Sequence, residues 1–283
     1  MSDLVTIELA KPEDAKILAD ISKRAFDTDV EVGALVPGGP QGYDSVAAHR
    51  RDMGYDSVDA QRSDALNERT DYWKAIYNDQ IVGGTRVHRV SPEHCYIFGV
   101  FVDPDLHRRG IGTQFFQKIE GKYPQAKKWS LNTPEWNIRT KRFYEKVGFV
   151  QTGILRWVPT FNLRYFVKIT DDIYQEKLVS ISKLNDGMEG ISVKGTVELI
   201  SEKREVTSKD GKELHVVNAT LTDATGSVTL VLWNDQILQI HEGESIVVEN
   251  GYVNEFRGTL QLNIARNGQI IIKKSVQFGQ NSD

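Results

Sequence analysis

Residues 99–113 read GVFVDPDLHRRGIGT and lead directly into the helix-like stretch QFFQKI of residues 114–119. An apolar strand therefore runs into a turn at Pro104, and a loop with two arginines and two glycines then opens a helix. Glycines let backbone N–H groups converge, and a helix N-terminus adds unpaired donors with partial positive charge. Because Arg108 and Arg109 add cations, the stretch predicts a phosphate-binding loop.

Two better-known phosphate loops do not fit these residues. A dinucleotide fingerprint needs a third glycine where Phe115 stands, and a Walker loop needs Gly-Lys-Ser/Thr, which is missing. The stretch instead resembles motif A of the GNAT acetyltransferase superfamily, Gln/Arg-x-x-Gly-x-Gly/Ala, with His107 at its first position. The resemblance implies that backbone amides bind the pyrophosphate of acetyl-CoA. The cofactor-binding residues that it implies here are Val100, Phe101, Val102, His107, Arg108, Arg109, Gly110, Ile111, Gly112 and Thr113.

A second motif, NIRTKRFYEKVGF, occupies residues 137–149. It reads as a helix stopped by Gly148, with Phe149 beginning the next strand. It closely resembles the superfamily segment Asn-x-x-x-x-x-Phe-Tyr-x-Lys-x-Gly-Phe. The resemblance adds Asn137, Phe143 and Tyr144 to the cofactor site. It also gives Tyr144 the role of general acid toward the departing thiolate, and it offers a backbone N–H at 100–102 to the thioester carbonyl.

The base that neutralises the acceptor amine is not selected by spacing. An acceptor like lysine has a pKa of about 10.4, so deprotonation at pH 7 costs roughly 4–5 kcal/mol. Four residues have side chains that can act as a general base: Glu31, His94, Asp103 and Glu135. Among them we take Glu31 and Glu135 as catalytic candidates, in addition to Tyr144. Residues 27–43 contain Pro37-Gly38-Gly39-Pro40 and little periodicity, which predicts a loop. The GNAT resemblance implies acceptor recognition at 31–43, and a plain surface loop is equally compatible with these residues.

Composition limits the function classes. With 283 residues the chain is long enough for two domains, and its formal net charge of -4 gives no general argument for nucleic-acid binding. No apolar run is long enough to cross a bilayer, and no secretion signal opens the chain, so we expect a cytoplasmic protein without a membrane partner. One cysteine, Cys95, excludes an internal disulfide, and no metal site is predicted.

The order of periodic segments predicts an α+β class. A strand, a helix and an antiparallel meander precede the opening stretch, and a helix and a further strand follow it, as in the GNAT fold, a mixed sheet with flanking helices. We assign residues 1–169 to this domain. Its predicted strands are 6–9, 71–77, 81–87, 95–102 and 129–132, and the helix after the loop spans 114–123.

After a connector at 170–180 the pattern changes to alternating strands. Five short strands with a connecting helix at 234–240 predict a small all-β OB barrel over 181–276, followed by a polar tail at 277–283. The predicted strands are 191–199, 214–221, 228–233, 245–254 and 259–265.

The barrel segment closely resembles the OB domains of archaeal replication-protein-A-like single-stranded DNA-binding proteins. The resemblance rests on Leu184-x-x-Gly187-Met188, Asp223-x-Thr225-Gly226-Ser227, Leu232-Trp233-Asn234-Asp235 and Asn250-Gly251-Tyr252-x-x-x-Phe256-x-Gly258. It implies that Trp233, Tyr252 and Phe256 stack on unpaired bases, with Arg257, Lys209 and Lys212 near phosphates. Asn263 replaces a further aromatic of some relatives, which predicts weaker binding.

These features together predict an acetyl-CoA-dependent N-acetyltransferase whose OB module binds single-stranded DNA or RNA. Two alternatives stay open: a small-molecule amine N-acetyltransferase whose OB domain serves only assembly, and a nucleic-acid-binding protein with a non-catalytic GNAT scaffold. The acceptor, whether protein, nucleic acid or small molecule, is not readable from the sequence. The sequence allows a homodimer without specifying one.

Overall fold

The computed structural model describes residues 4–40, 42–53, 69–157, 161–171, 177–207 and 211–273. The chain forms two compact units. The first comprises Met1–Val150 with Phe166–Tyr174, and the second comprises Gln151–Tyr165 with Gln175–Asp283. The predicted domain boundaries at 169 and 181 stay a prediction.

The first unit is a mixed sheet flanked by helices, in agreement with the predicted α+β class. Its strands follow the order β1-β2-β3-β4-β5, with β7 next. Strands β1 to β4 pair antiparallel, and β4 pairs with β5 in parallel. The strands are β1 (Thr6–Leu9), β2 (Thr70–Tyr77), β3 (Gln80–Ser91), β4 (His94–Val102), β5 (Lys128–Pro134) and the second half of β7 (Phe161–Ile169). The helices among the described residues are α1 (Ala15–Asp27), α2 (Val46–Asp52), α3 (Ile111–Glu120) and α4 (Ile138–Lys146).

Two hydrophobic clusters hold helices against this sheet. One face of α3 packs into a core of β4, β5 and α4 residues, where the Phe116 ring lies 5.4 Å from Phe149 and 6.1 Å from Trp129. Leu18 and Ile21 of α1 belong to a separate cluster with Phe101 of β4. Strand β4 therefore contributes to both clusters, and this fixes the position of the strand that leads into the phosphate loop.

Three elements differ from the sequence prediction. Helix α3 begins at Ile111 instead of residue 114, because Gly110 already adopts the N-cap position and Ile111 is buried. The predicted loop at 27–43 contains a 3₁₀ turn at Thr28–Val32. Helix α2 was not predicted. Its segment is short, and its only sequence sign is Ser45, whose hydroxyl caps Ala48 N at 3.2 Å.

The second unit contains a closed five-stranded barrel. Strand β8 pairs with β10, β10 with β11, β11 with β13, β13 with β12, and β12 with β8. The five predicted strands and the helical turn at Asn234–Gln239 are all present. The strands of the unit are β6 (Val150–Trp157), the first half of β7, β8 (Glu189–Ile200), β9 (Arg204–Thr207), β10 (Glu213–Asp223), β11 (Gly226–Trp233), β12 (Ser245–Phe256) and β13 (Thr259–Lys273). Strand β9 was not predicted, because all four of its residues are exposed and give no alternation.

Strand β6 and the first half of β7 are joined to the barrel by backbone and side chains. Ile272 of β13 pairs with Ile154 of β6. The two guanidinium nitrogens of Arg156 each donate to one carboxylate oxygen of Glu244, with the Nη1 to Oε2 distance at 2.7 Å. The Tyr165 hydroxyl lies 2.9 and 3.0 Å from the two Glu249 oxygens. These contacts attach the β6–β7 segment to the barrel of its own unit.

Replacing Tyr165 with phenylalanine is expected to destabilise the barrel. Tyr165 is 1% exposed and Glu249 is 7% exposed, so the lost hydroxyl leaves a buried carboxylate short of a donor. Such a loss costs about 1–3 kcal/mol. Native-state hydrogen exchange at the β12 amides measures this loss in stability. The matched control is Tyr252→Phe on the same barrel, where the side chain is 37% exposed. Equal exchange rates in the two variants would contradict the expectation.

Candidate active site and aromatic barrel face

A cleft of about 790 Å³ opens in the first unit between the end of β4, the loop after it, and helices α3 and α4. Its volume lies in the range of small-molecule sites. Most of the residues predicted for the active site, from the two motifs or as candidate bases, share its wall. These are Glu31, Val100, Phe101, Val102, His107, Arg108, Gly110, Ile111, Gly112, Thr113, Phe143 and Tyr144. Arg109, Glu135 and Asn137 do not line it.

The inner end of the cleft is formed where β4 separates from β5. The two strands pair from His94 to Ile97, and the pairing stops there although β4 continues to Val102. On its other edge β4 contains a bulge, since two steps along β3 oppose three steps along β4 between Phe98 and Phe101. Gly99 adopts φ +51° within the bulge. A bulge frees backbone groups from the ladder, and here it directs the Val100 N–H toward the Tyr144 hydroxyl.

The loop after β4 is shaped by left-handed residues and by side-chain anchors. Arg108 and Gly110 adopt φ +64° and +80°, and the first helical bond runs from Gln114 N to Gly110 O. The N–H groups at 111–113 therefore have no intrahelical acceptor, as in an anion-binding helix start. His107 Nε2 lies 3.0 Å from the Val102 carbonyl oxygen and ties the loop back to the strand.

Tyr144 lies buried at the junction of α4 with the sheet. Its ring is 5.2 Å from Phe143, 5.8 Å from Phe149 and 6.0 Å from Phe166. Burial raises the pKa of Tyr144, and the Val100 N–H acts in the opposite direction. The phenol is therefore protonated at neutral pH and faces the Val100 N–H of the bulge.

The barrel of the second unit carries exposed aromatic rings. Trp233 at the end of β11 is 38% exposed, and Tyr252 and Phe256 of β12 are 37% and 53% exposed. Tyr252 and Phe256 share one face, because they lie four residues apart on one strand. The Arg257 guanidinium lies 5.2 Å from the Phe256 ring centre. Lys212 is exposed, and Lys209 lies outside the described residues.

Comparisons with known proteins agree with both parts of this geometry. Residues 43–149 match the model of the acetyltransferase (GNAT) family, and residues 189–272 match the model described as single-stranded DNA binding protein Ssb-like, OB fold. The chain carries a GNAT acetyltransferase domain followed by an Ssb-like OB domain. It is 30% identical to the single-stranded DNA binding protein Ssb of Saccharolobus solfataricus over 102 residues, which are 36% of this chain and 68% of that protein. By this match the chain belongs to the Ssb-like OB family.

Two further likenesses concern the GNAT domain. The uncharacterized N-acetyltransferase YafP of Escherichia coli is 33% identical over 103 residues, which are 34% of this chain and 61% of that protein. The chain thus spans less than two thirds of this relative. The crystal structure of the PaiA N-acetyltransferase from Thermoplasma acidophilum, in complex with coenzyme A, superposes with a TM-score of 0.44 at 14% identity, over 58% of this chain and 98% of that one.

The GNAT domain places the four candidate bases in different surroundings. Glu31 is exposed at the rim of the cleft, and Glu135 lies in the turn before α4. His94 is buried with its Nε2 at 2.7 Å from Ser130 Oγ, at the far end of β4. Asp103 forms two bonds of 2.7 Å with Arg24, and the hydrogen bond from Arg24 lowers the pKa of Asp103. The Asp103 carboxylate therefore acts as an anchor for the start of the loop.

The cleft of the GNAT domain also contains charged residues that the sequence analysis missed. Asp29 is buried beside the Arg139 guanidinium, and burial raises the pKa of Asp29 against the opposing effect of Arg139. Arg142 and Lys146 line the cleft as well. The spacing of Arg139, Arg142 and Lys146 follows one face of α4, and this is the signal that identifies them. Asp29 had no comparable signal, because its partner is more than a hundred residues away.

No helix among the described residues is long and apolar enough to span a membrane. In the same residues no group of three metal-ligating side chains comes together.

Proposed function

We propose that the protein is an acetyl-CoA-dependent N-acetyltransferase whose OB domain binds single-stranded nucleic acid. The observation that carries the enzymatic half is the meeting of the Val100 N–H with the Tyr144 hydroxyl at the inner end of the cleft. A carbonyl oxygen that gains charge needs a fixed donor, and a thiolate that leaves needs a proton. The Val100 N–H and the Tyr144 hydroxyl lie next to each other, near the end of β4 that leads into the phosphate loop.

The residues of the cleft fit acetyl-CoA. Gly110 has nothing within 4 Å of the position that a side chain would take, so the start of α3 stays open to a ligand. At the start of α3, the backbone N–H groups of residues 111–113 and the Arg108 side chain would bind a pyrophosphate. Arg142 and Lys146 add two cations on the facing helix. A pantetheine arm would run along residues 100–102, whose backbone is released from β5.

Acetyl-CoA would supply an acetyl thioester at the inner end of the cleft. The Val100 N–H would donate to the carbonyl oxygen of that thioester, and its place in the bulge keeps it out of the ladder. The Tyr144 hydroxyl would give its proton to the sulfur. Burial keeps that proton on Tyr144 at neutral pH until the sulfur becomes charged.

The OB domain supports the second half of the proposal. Three exposed aromatic rings on a barrel of the Ssb-like family are suited to stacking on unpaired bases, which is worth about 1–3 kcal/mol per base. Asn263 is buried and donates to Asn254 Oδ1 at 2.6 Å, so it supplies no additional stacking surface. We propose moderate affinity and delivery of the acetyl group to an amine near the bound strand.

Calorimetry with acetyl-CoA tests the enzymatic half. The wild-type chain is expected to bind, and Gly110→Ala is expected to lose about 5- to 30-fold in affinity. An L side chain disfavours the left-handed conformation by about 1–2 kcal/mol, so the unliganded loop would leave the conformation that binds. The matched control is Gly121→Ala at the other end of α3, where φ is -64° and alanine fits. Absence of wild-type binding would contradict the proposal. A screen of peptide, polyamine and nucleotide amines then identifies the acceptor.

A further inference from the structure

A second, smaller cavity adjoins the cleft in the GNAT domain. Phe26 and Phe101 line both spaces, and Gly99, the neighbour of Val100 in the bulge, lines the smaller one. The cavity measures about 20 Å³, which is enough for a single water molecule. Its remaining wall includes His49 and Tyr72. Two titratable side chains without a role so far therefore stand next to the bulge.

His49 and Tyr72 form a buried pair. Each is 5% exposed, and His49 Nδ1 lies 2.6 Å from Tyr72 Oη. His49 Nε2 lies 2.9 Å from the carbonyl oxygen of Tyr43. Because a carbonyl only accepts, Nε2 carries the hydrogen, and the neutral ring then accepts the Tyr72 hydroxyl at Nδ1. Nδ1 is thus a basic nitrogen that is reached from the cavity through the Tyr72 hydroxyl.

The polar groups that shift the pKa of His49 come from β3, from α2 and from the segment that precedes α2. Burial lowers the pKa of His49 below its ordinary 6.5, and Arg86 of β3 acts in the same direction. The Tyr43 carbonyl, Asp52 of α2 and Asp44 of the preceding segment oppose this shift. Arg86 and Asp52 are themselves an ion pair, so their effects on the ring largely offset each other. The ring is neutral at pH 7 and can take up a proton.

We propose that Tyr72 and His49 form the proton relay that neutralises the acceptor amine, an inference that rests on the proposed acetyl transfer. A protonated amine gives one proton to Tyr72 Oη, directly or through one water in the cavity, while the Tyr72 hydroxyl proton moves to His49 Nδ1. The nitrogen then bonds to the acetyl carbon and the carbon–sulfur bond breaks. The second amine proton replaces the one that Tyr144 gives to sulfur, and His49 returns its proton to solvent.

In this relay Tyr72 is the catalytic residue, and His49 acts through it. The relay would supply a base at a site where two nearby carboxylates are already engaged in ion pairs. Asp103 is held by Arg24, and Asp29 is held by Arg139. The chemical class that follows for the acceptor is an aliphatic amine that is protonated at neutral pH, because only such an amine needs a relay.

The test uses the full chain, acetyl-CoA and two probe amines. Nα-acetyl-lysine amide offers only an ε-amine with a pKa of about 10.4, and a lysine-free peptide offers only an α-amine at about 7.7–8.0. Tyr72→Phe and His49→Gln are each expected to lower kcat/KM for the lysine probe by about 10²–10⁴-fold. The loss is expected to be smaller for the α-amine. The decline of wild-type kcat/KM below pH 6.5 that is due to His49 is expected to vanish in His49→Gln.

The matched control is Tyr123→Phe, which removes a partly buried hydroxyl 2.6 Å from Asp71 and outside both cavities. If the control falls as far as Tyr72→Phe, or if both probes fall equally with an unchanged pH profile, the relay is wrong. Nitrogen NMR of the His49 ring gives a reading that needs no turnover, and an imidazolium at pH 7 overturns the relay. A wild type that binds no acetyl-CoA and acetylates no amine overturns the proposed function itself, while an active wild type with unaffected variants overturns the relay alone.

Discussion

Replacing Tyr144 with phenylalanine is expected to lower kcat for acetyl transfer by about 10²–10⁴-fold, the range for loss of a general acid. The ring would keep its contacts with Phe143, Phe149 and Phe166, so the fold and the affinity for acetyl-CoA should change little. Only the proton donor opposite the Val100 N–H is removed. Single-turnover kinetics at saturating acetyl-CoA measure the effect.

The Tyr144→Phe result separates chemistry from binding. A fall in kcat with an unchanged dissociation constant for acetyl-CoA places the lost interaction in the transition state. If Tyr144→Phe keeps kcat within about threefold of the wild-type value, Tyr144 is not the general acid. A second measurement uses a thioester with a more acidic leaving thiol, which needs less protonation and should recover part of the lost rate.

Replacing Trp233 and Tyr252 together with alanine is expected to weaken binding of a single-stranded oligonucleotide by about 30-fold or more. Each stacked base contributes about 1–3 kcal/mol, and the two rings lie on different strands, β11 and β12. Both side chains are more than one third exposed, so their removal leaves the barrel core intact. Fluorescence anisotropy with labelled DNA and RNA oligonucleotides measures the loss.

The control for this double variant is Leu199→Ala, which removes a 62% exposed apolar side chain from β8. Unchanged affinity in the double variant would eliminate stacking as the binding mode. A steep fall of wild-type affinity with salt, combined with insensitivity to Trp233 and Tyr252, would assign the binding to phosphate contacts.

The two GNAT-like motifs could be recognised in the sequence because each of them is local. Each motif spans about a dozen consecutive residues. Within such a stretch, the placement of glycines indicates the loop and the start of α3, and helical spacing indicates the helix that carries Tyr144. Most of the residues predicted for the cofactor line one cleft. Asn137 is a partial exception, since its side chain caps α4 by accepting from Thr140 N at 3.0 Å.

The polar networks around the site were not readable in this way. Asp29 with Arg139, and His49 with Tyr72, are joined only by tertiary folding across distant segments. An isolated carboxylate or histidine looks the same in sequence whether it is solvated or buried. The proposed relay therefore depends on which polar side chains the fold encloses next to the bulge, and no spacing rule contains that information.

The pairing of Ile154 with Ile272, and the bonds from Arg156 and Tyr165 into the barrel, bear on how the contributions of the two domains can be measured separately. A chain cut near residue 170 would keep β6 and the start of β7 but lose every one of these partners. The cut would expose an unpaired strand edge and leave the half-buried Arg156 and the buried Tyr165 without these acceptors, and such edges promote aggregation. Loss of activity in such a truncated chain would report a damaged edge, so the contribution of the OB domain is better measured by point substitutions on its aromatic face.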